Sequence, residues 1–245
     1  MNLQTIDNAR VMVLIPSLNE ERNISEVIHV LKKMDYHNIL VIDGKSSDRT
    51  VETAKNLGAE VIIQSGNGKG AALREAFNHT NADFVVIMDA DGSMNPKEIP
   101  TLIETLHSGA DIVKASRFLY PGCSYDMTLI RRIGNRIFLS LVNWFWSTGY
   151  TDLCYGFGAF TKNAIEQLSP RLKSKNFEIE TEIFIKAKKL RLKVLEVPSI
   201  EFRRRKGKSN LKAFRDGFVI LRTIFRELLG HHLPSHRRNG DNTER

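Results

Sequence analysis

The sequence predicts an α/β fold, with a mostly parallel central sheet flanked by helices. Three observations predict it. Short runs of strand character recur at 11–16, 38–43, 60–64, 84–88 and 111–116, and the most apolar of them suit strands buried on both faces. Segments of helical period lie between them, giving the β-α alternation of doubly wound parallel sheets. Several runs also end on polar or charged residues, and open parallel sheets bind ligands beyond the carboxyl ends of their strands. The chain has 245 residues and is 42% hydrophobic, enough for one large domain, or for one domain with an appendage.

Taken in order, residues 11–16 (Val-Met-Val-Leu-Ile-Pro) form a buried strand closed by proline. Asn19 is placed to cap the next helix, with Glu20 and Glu21 favourable in its first turn. Ile24, Val27, Ile28, Leu31 and Met34 give that helix one apolar face. Residues 38–43 are the second strand, followed by a loop and a helix over about 48–57 that ends at Gly58. Residues 60–64 form a third strand. The glycine-rich turn Gly66-Asn67-Gly68-Lys69-Gly70 leads into a helix over 71–78.

The fourth strand is the centre of the chain. Phe84-Val85-Val86-Ile87-Met88 runs directly into Asp89-Ala90-Asp91-Gly92-Ser93. Alternation along an extended chain puts Asp89 and Asp91 on one side, where both can converge on one point. Gly92 then breaks the strand, and Pro96 opens a helix that runs to about His107. Two converging carboxylates repel unless a cation lies between them, and a divalent metal carrying a diphosphate meets that need. The plainer alternative is a solvated Asp-x-Asp-Gly turn. Residues 111–116 complete the repetition as a fifth strand.

Beyond Arg117 the character changes. A loop over 120–128 precedes a helix over 129–146, which has Arg131, Arg132 and Arg136 near its start and a body rich in Phe and Trp. Such a helix suits a membrane interface or the packed face of a core equally well. Residues 149–160 are punctuated by glycine. A helix starts at Glu178-Ile179-Glu180, and 194–198 read as a strand. The basic run Arg203-Arg204-Arg205-Lys206-Gly207-Lys208-Ser209 precedes an amphipathic helix over 211–229, and this pairing suits an anionic lipid surface or a solvated loop. The polar ending from His231 onward is expected to fray.

The formal net charge of +8 suits an anionic partner: nucleotide phosphates, nucleic acid or an anionic leaflet. Nucleic acid is the weakest of these, since basic and aromatic residues do not interleave and no binding module is recognisable. Cys123 and Cys154 lie far apart without zinc spacing, which favours a reducing compartment over a disulfide framework. No signal-peptide pattern is expected, Leu3 to Arg10 being too polar. No apolar run reaches the ~20 residues of a spanning helix.

Together these residues resemble a known family. Ile15-Pro16-Ser17-Leu18-Asn19-Glu20, Asp43-Gly44-Lys45-Ser46-Ser47-Asp48-Arg49-Thr50, Gly68-Lys69-Gly70 and Asp89-Ala90-Asp91 follow the order seen in GT-A, family 2 glycosyltransferases. Residues 152–157, Phe177-Glu178-Ile179-Glu180, Glu196-Val197-Pro198 and the run from Arg204 to Leu211 are similar to the polyprenyl-phosphate (dolichyl-phosphate) sugar transferase branch. The resemblance implies a GT-A domain over 1–211, including the helix 129–146, followed by an amphipathic helix and polar tail over 212–245. It also implies an inverting, metal-dependent transfer of a hexose from a GDP-mannose or UDP-glucose type donor to a polyprenyl phosphate. The enzyme would sit peripherally on the cytoplasmic face of the membrane.

The same resemblance, with the chemistry of the residues, assigns the roles. Pro16, Asn19, Glu20, Asp43, Asp48, Lys69, Asp89, Ala90 and Asp91 form the nucleotide side. Asp43 would accept an N–H of the base; its plainer role is a turn or capping aspartate. Asp89 faces the nucleotide sugar and Asp91 coordinates Mg²⁺ or Mn²⁺. Related enzymes often carry Gln two residues past the second aspartate, where this chain has Ser93, so a third protein ligand is not specified. Arg117, Arg131 and Arg204 are the candidates to hold phosphates, because a guanidinium matches phosphate in bidentate fashion. An acceptor with a hydroxyl would instead need a carboxylate base, with Glu180, Glu178 or Asp152 as candidates. The rival reading keeps the donor chemistry and uses a sugar or lipid hydroxyl in cell-envelope glycan synthesis. A nucleotidyltransferase, which also uses metal-binding carboxylates, would release pyrophosphate instead of a nucleoside diphosphate.

Overall fold

In a computed structural model, described over residues 8–207 and 211–230, the strands and helices alternate through most of the chain. They are β1 (Val11–Ser17), α1 (Ile24–Lys33), β2 (Ile39–Asp43), α2 (Thr50–Asn56), β3 (Glu60–Ile63), α3 (Lys69–His79), β4 (Phe84–Ile87), α4 (Ile99–His107) and β5 (Ile112–Ser116). Then follow β6 (Cys123–Ser124), α5 (Leu129–Trp146), β7 (Gly158–Thr161), α6 (Lys162–Leu168), α7 (Ile179–Lys189), β8 (Val194–Pro198), β9 (Ile200–Glu201) and α8 (Ala213–Leu229). Lys208 and Ser209 of the basic run, and the polar ending from His231, lie outside the described residues.

The main sheet has the order β3-β2-β1-β4-β7-β5-β8. Its pairs are parallel except where β7 runs antiparallel to both β4 and β5. The expected mostly parallel sheet is therefore present, with one reversed strand in the middle. The chain moves outward from β1 to β3 and returns to place β4 on the other side of β1. The switch point, and with it the ligand crevice, thus falls at the carboxyl ends of β1 and β4.

The sheet's two faces bury separate clusters. One is covered by α1 and α4 through Ile24, Ile28, Leu31, Ile99, Leu102 and Ile103. The other is covered by α3, α5, α6, α7 and α8 through residues such as Leu73, Phe77, Val142, Ile165, Ile183 and Ile224. All four of the innermost apolar positions expected on α1 are buried, and Met34 packs at the edge.

Three local expectations change. First, β4 leaves the ladder at Ile87, so Asp89 and Asp91 project from a turn beyond the strand instead of from its alternating face. Met88 N–H still donates to Leu14 O at 3.1 Å, after which Gly92, at φ 74°, reverses the chain. Second, α1 starts at Ile24 and not just after Asn19. Asn19 has φ 56° and serves the neighbouring loop, while Glu20 O accepts from both Asn23 and Ile24 N–H. Third, β7 stands where the sequence shows only glycine punctuation. A Cβ on Gly158 would lie 2.7 Å from Val113 O, so glycine there permits the close approach of β5.

The helix over 129–146 packs one side and leaves apolar side chains exposed on the other. Val142 and Trp146 are buried against the sheet-side cluster, whereas Ile130, Ile133, Ile137 and Trp144 are exposed. α8 repeats the arrangement, with Ile220 and Ile224 buried and Phe214, Phe218 and Phe225 outside.

Candidate active site

Around the loops beyond β1 and β4, side chains from α3, α7 and the segment after β9 join theirs, so that four carboxylates and two cations meet. Glu20 Oε1 accepts from Arg204 Nη1 at 2.6 Å, and Arg204 Nη2 lies 3.1 Å from Asp91 Oδ2. Lys69 Nζ lies 2.7 Å from Asp89 Oδ1 and donates to Glu180 Oε1 at 2.8 Å. All four ion pairs are short, and every member except the half-buried Asp89 is largely shielded from water.

Local structure fixes each arm. Ser93 N–H donates to Asp91 Oδ1 at 2.9 Å, and Asn23 Nδ2 donates to Glu20 Oε2 at 2.7 Å. Lys69 opens α3 after Gly68, whose φ is 91°. A Cβ on Gly70 would stand 2.7 Å from Ser174 O, so the glycine-rich turn can dock on the loop before α7. Ala71 N–H donates to Lys175 O at 3.0 Å across that contact. Gly156 closes the site: a Cβ there would meet Lys69 Nζ at 2.5 Å and Glu180 Oε1 at 2.6 Å.

The electrostatics follow from this enclosure. Burial alone would pull the Lys69 ammonium down, but Asp89 and Glu180 together hold it above the usual lysine range. Burial pushes the Glu180 carboxyl up, and the Asp89 charge adds to it while Lys69 opposes. With all groups ionised, the ion pairs of the four carboxylates Glu20, Asp89, Asp91 and Glu180 are made, among the described residues, with Lys69 and Arg204. The cluster is then two positive charges short of neutrality.

That shortfall, and the hard oxygen donors at Asp89 and Asp91, fit Mg²⁺ or Mn²⁺. Among the described residues no group of three or more His, Cys, Asp or Glu is arranged to hold a metal ion. Asp89 and Asp91 are the residues here that would hold such an ion.

The sequence-predicted residues separate into two sets. Pro16, Glu20, Lys69, Asp89, Ala90, Asp91, Arg117, Arg131 and Arg204 all line one cavity of about 880 Å³. Asn19, Asp43 and Asp48 build the loops behind it. Asn19 Oδ1 accepts from Ser47 N–H at 2.9 Å. Asp43 is fully buried and accepts from Ser46 N–H and Ser46 Oγ at 2.7 and 2.5 Å. Asp48 accepts from Thr50 N–H at 3.0 Å and Glu21 N–H at 3.2 Å. Of the two roles left open for Asp43, the turn-forming one is occupied.

Where the sequence reading gives Arg117 a phosphate, the structure gives it carboxylates. Its Nε and Nη2 donate to Asp152 at 2.7 and 3.0 Å, Nη1 to Glu201 at 3.1 Å, and Nη2 also to Cys154 O at 2.8 Å. Its charge also sits 4.5 Å from the Tyr155 ring centre. Every guanidinium nitrogen thus has a protein acceptor, and Asp152 is wholly buried beneath it. Arg131 borders the cavity with Asp126 4.0 Å away, whereas its neighbour Arg132 lies over Phe118 at 6.0 Å. Of the three carboxylates considered as bases, Glu180 alone lines the cavity; Glu178 accepts from Lys175 and Asn176 N–H in the loop, and Asp152 serves Arg117.

The cavity does not end at the charged cluster. It continues along α5 and α8, where apolar residues such as Ile133, Ile137, Phe138 and Phe218 line it beside Asn135, Arg215 and Asp216. Leu18, Ile42, Gly44 and Gln64, at the carboxyl ends of β1, β2 and β3, also line it. Gln64, the polar residue that closes the third strand run, was not singled out by the sequence and lines this cavity.

Comparison with known proteins agrees with this architecture. The family model described as glycosyl transferase family 2 matches residues 12–169. Glycosyltransferase AglJ of Haloferax volcanii is 36% identical over 220 residues, covering 88% of this chain and 71% of that protein. The UDP-N-acetylglucosamine–dolichyl-phosphate N-acetylglucosaminyltransferase of Methanococcus voltae is 31% identical over 212 residues, covering 77% of this chain and 84% of its own. Among solved structures, glucosyl-3-phosphoglycerate synthase of Mycobacterium tuberculosis, in complex with Mn²⁺, uridine diphosphate and glucosyl-3-phosphoglycerate, superposes with a TM-score of 0.72 at 20% identity, covering 92% of this chain and 81% of that one. With the sheet order, the carboxylate-bearing turn and these matches in agreement, the chain belongs to glycosyl transferase family 2 and has its GT-A fold.

Proposed function

We propose that this enzyme transfers a hexose, with inversion, from a GDP-mannose or UDP-glucose type nucleotide sugar to a polyprenyl or dolichyl phosphate at the cytoplasmic face of a membrane. The observation that carries the reading is the single cavity joining a charged end to an apolar one. An acceptor with a phosphate head and a hydrocarbon tail matches both ends. A small polar acceptor would leave the space along α5 and α8 without purpose. The name of the Methanococcus voltae relative, which specifies a dolichyl-phosphate acceptor, supports the same reading.

The residues divide the work accordingly. Lys69 and Arg204 stand beside Asp89 and Asp91, where they can pass from carboxylates to the oxygens of an incoming diphosphate. Asp89 and Asp91 would hold Mg²⁺ or Mn²⁺, which when bound neutralises the diphosphate and stabilises it as a leaving group. Arg131 borders the passage from the charged cluster to the apolar end and would orient the acceptor phosphate. That phosphate is already anionic at neutral pH, so its oxygen can attack the anomeric carbon without a base as the bond to the diphosphate breaks. Arg117 would act through the floor it builds with Asp152 and Glu201.

Membrane attachment follows the same geometry. Trp144 is 76% exposed and Phe214 82% exposed, on helices that also carry Arg132, Arg136 and Arg215. Apolar side chains beside exposed cations suit the interface of an anionic leaflet. Among the described residues no helix is long and apolar enough to cross a membrane. The test is incubation with a panel of UDP- and GDP-sugars and polyprenyl phosphate, with the lipid product read by mass. A hexosyl-phospholipid product with release of nucleoside diphosphate is expected. Transfer to a free hydroxyl alone would overturn the acceptor assignment.

A further inference from the structure

The turn that carries Lys69 rests on a loop held by α7 and clasped by α8. Four consecutive backbone N–H groups, from Lys173 to Asn176, donate to two carboxylates of α7 and its N-terminal cap. Lys173 and Ser174 N–H donate to Glu182 Oε2 at 2.9 and 2.8 Å, and Lys175 and Asn176 N–H to Glu178 Oε1 at 2.9 and 3.2 Å. With its donors turned to α7, the loop offers carbonyls to the glycine-rich turn. Lys175 O accepts from Ala71 N–H at 3.0 Å, and a Cβ on Gly68 would lie 2.5 Å from the same oxygen. Contact this close fixes how the turn sits on the loop, and with it the place of Lys69 beside Asp89 and Glu180.

Glu182 is fully buried, and a carboxylate taken out of water is costly unless it is hydrogen-bonded and paired. Arg226 of α8 supplies the pairing, its Nη2 donating to Glu182 Oε1 at 2.8 Å and to Ser174 Oγ at 3.4 Å. Lys186 lies farther from the same carboxylate oxygen, at 3.7 Å. Arg226 is not what docks α8. Ile220 and Ile224 are buried, and Glu227 reaches Lys186 and Lys189 at 3.1 and 2.9 Å. The Arg226 side chain is 41% exposed and lies 3.5 Å from Glu227, so its removal opens no core cavity. Its bonds to Glu182 and Ser174 brace the loop beneath the Lys69 turn. Neither Arg226 nor Glu182 lines the cavity, so their influence on a donor runs through that loop.

We propose that Arg226 is a positioning residue for the donor site: through Glu182 and the loop at 173–176 it sets the place of Lys69 against the donor diphosphate. The proposal rests on the nucleotide-sugar reading above. It gives α8 a part in donor binding that is separate from its exposed aromatic face.

The experiment is titration calorimetry of the full chain with UDP and GDP in MgCl₂, with thermal melts to confirm folding. The parent is compared with Arg226→Met, Arg226→Lys, Lys69→Ala and the double variant Lys69→Ala/Arg226→Met. Arg226→Met is expected to weaken the tighter-bound nucleoside diphosphate roughly three- to tenfold. Arg226→Lys keeps the charge without the planar fork and is expected to fall between that variant and the parent. In the Lys69→Ala background the Arg226 change is expected to add nothing, because the side chain it positions is gone. A purely structural role would lower affinity equally in both backgrounds. Hydrogen exchange supplies a reading that needs no ligand: peptides over 66–72 and 173–177 should exchange faster in Arg226→Met, while those over 89–93 keep the parental rate. Parental affinity in folded Arg226→Met would overturn the inference and leave the donor reading intact. So would a loss of affinity that persists without Lys69, or exchange quickened equally over 89–93. If the folded parent bound neither nucleoside diphosphate, the donor reading would fall and this inference with it.

Discussion

Arg204 Nη2 lies 3.1 Å from Asp91 Oδ2, which ties the segment after β9 to the turn after β4. The link is reinforced in the backbone, where Phe202 N–H donates to Ser93 O at 2.8 Å and Arg205 N–H to Asp91 O at 3.3 Å. Residues more than a hundred positions apart therefore form one wall of the candidate active site. The same guanidinium holds Glu20, so three chain segments meet at one side chain. Burial disfavours its charge, but Glu20 and Asp91 outweigh that influence and raise its pKa.

Arg204→Ala removes charge-assisted contacts worth about 1.5–3 kcal/mol each. Steady-state kinetics should show at least a tenfold loss in kcat/KM, with Arg204→Lys recovering only part of it because the planar fork is gone. Parental turnover in Arg204→Ala would remove Arg204 from the phosphate-binding set.

Asp91→Asn should abolish most turnover with the fold retained, and Asp89→Asn should be severe too, since each lowers the negative charge offered to a divalent ion. Parental activity should vanish in EDTA and return with Mg²⁺ or Mn²⁺. Turnover by Asp91→Asn that is near normal and indifferent to EDTA would refute the metal assignment.

The Arg117–Asp152 pair makes a stability prediction with a defined sign. Burial opposes the Asp152 charge, but Arg117 prevails and holds its carboxyl below the ordinary aspartate range. A depressed folded pKa stabilises the fold above the unfolded value, about 3.9. That contribution is lost as pH falls through the lower, folded value. Chemical denaturation below pH 4 should show this acid-dependent loss in the parent and a flatter profile in Asp152→Asn. Arg117→Ala strands a buried carboxylate and should cost about 3–5 kcal/mol. If Arg117→Ala kept parental stability and lost only phosphate affinity, the clamp would have to give way to direct phosphate binding.

The two tryptophans of α5 separate membrane contact from core packing. Trp146 is 6% exposed, and replacing it with Ser should cost stability on the scale of ~3–5 kcal/mol seen for large core truncations. Trp144→Ser should leave the melt nearly unchanged and reduce sedimentation with anionic vesicles at low salt, an association that high salt should also weaken. Vesicle binding unaltered in Trp144→Ser would argue against α5 as the membrane contact.

Much of this was legible in the sequence because strands buried on both faces have to be apolar, and the turns that follow them carry the polar groups. Hence the runs through Ile15, Ile42 and Ile87 located the crevice, and the helix over 129–146 was bounded correctly. β7 was not legible, since Gly158 and Ala159 carry no periodic signal and their place is set by close contact with β5. The duties of Arg117 and Asp43 were hidden for another reason. A polar side chain at a strand end can face the ligand or brace the loop, and only the positions of distant partners such as Asp152 and Ser46 decide which.

The acceptor class turns on Glu180. Its carboxylate lines the cavity but is held by Lys69, which also bridges Asp89. If the acceptor is a polyprenyl phosphate, no proton has to be removed during attack. Glu180→Gln should then keep substantial activity, since an amide oxygen can still accept from Lys69, although its neutral contact would hold the ammonium less firmly. A modest rise in donor KM with little change in kcat is the expected split. The pH–rate profile should also be free of an acidic limb, a fall in rate as pH drops, assignable to protonation of a buried carboxylate. A polyprenol lacking its phosphate should not be glycosylated by either protein. A Glu180→Gln enzyme without turnover, combined with a parent that glycosylates the free alcohol, would make Glu180 the general base and the acceptor a hydroxyl.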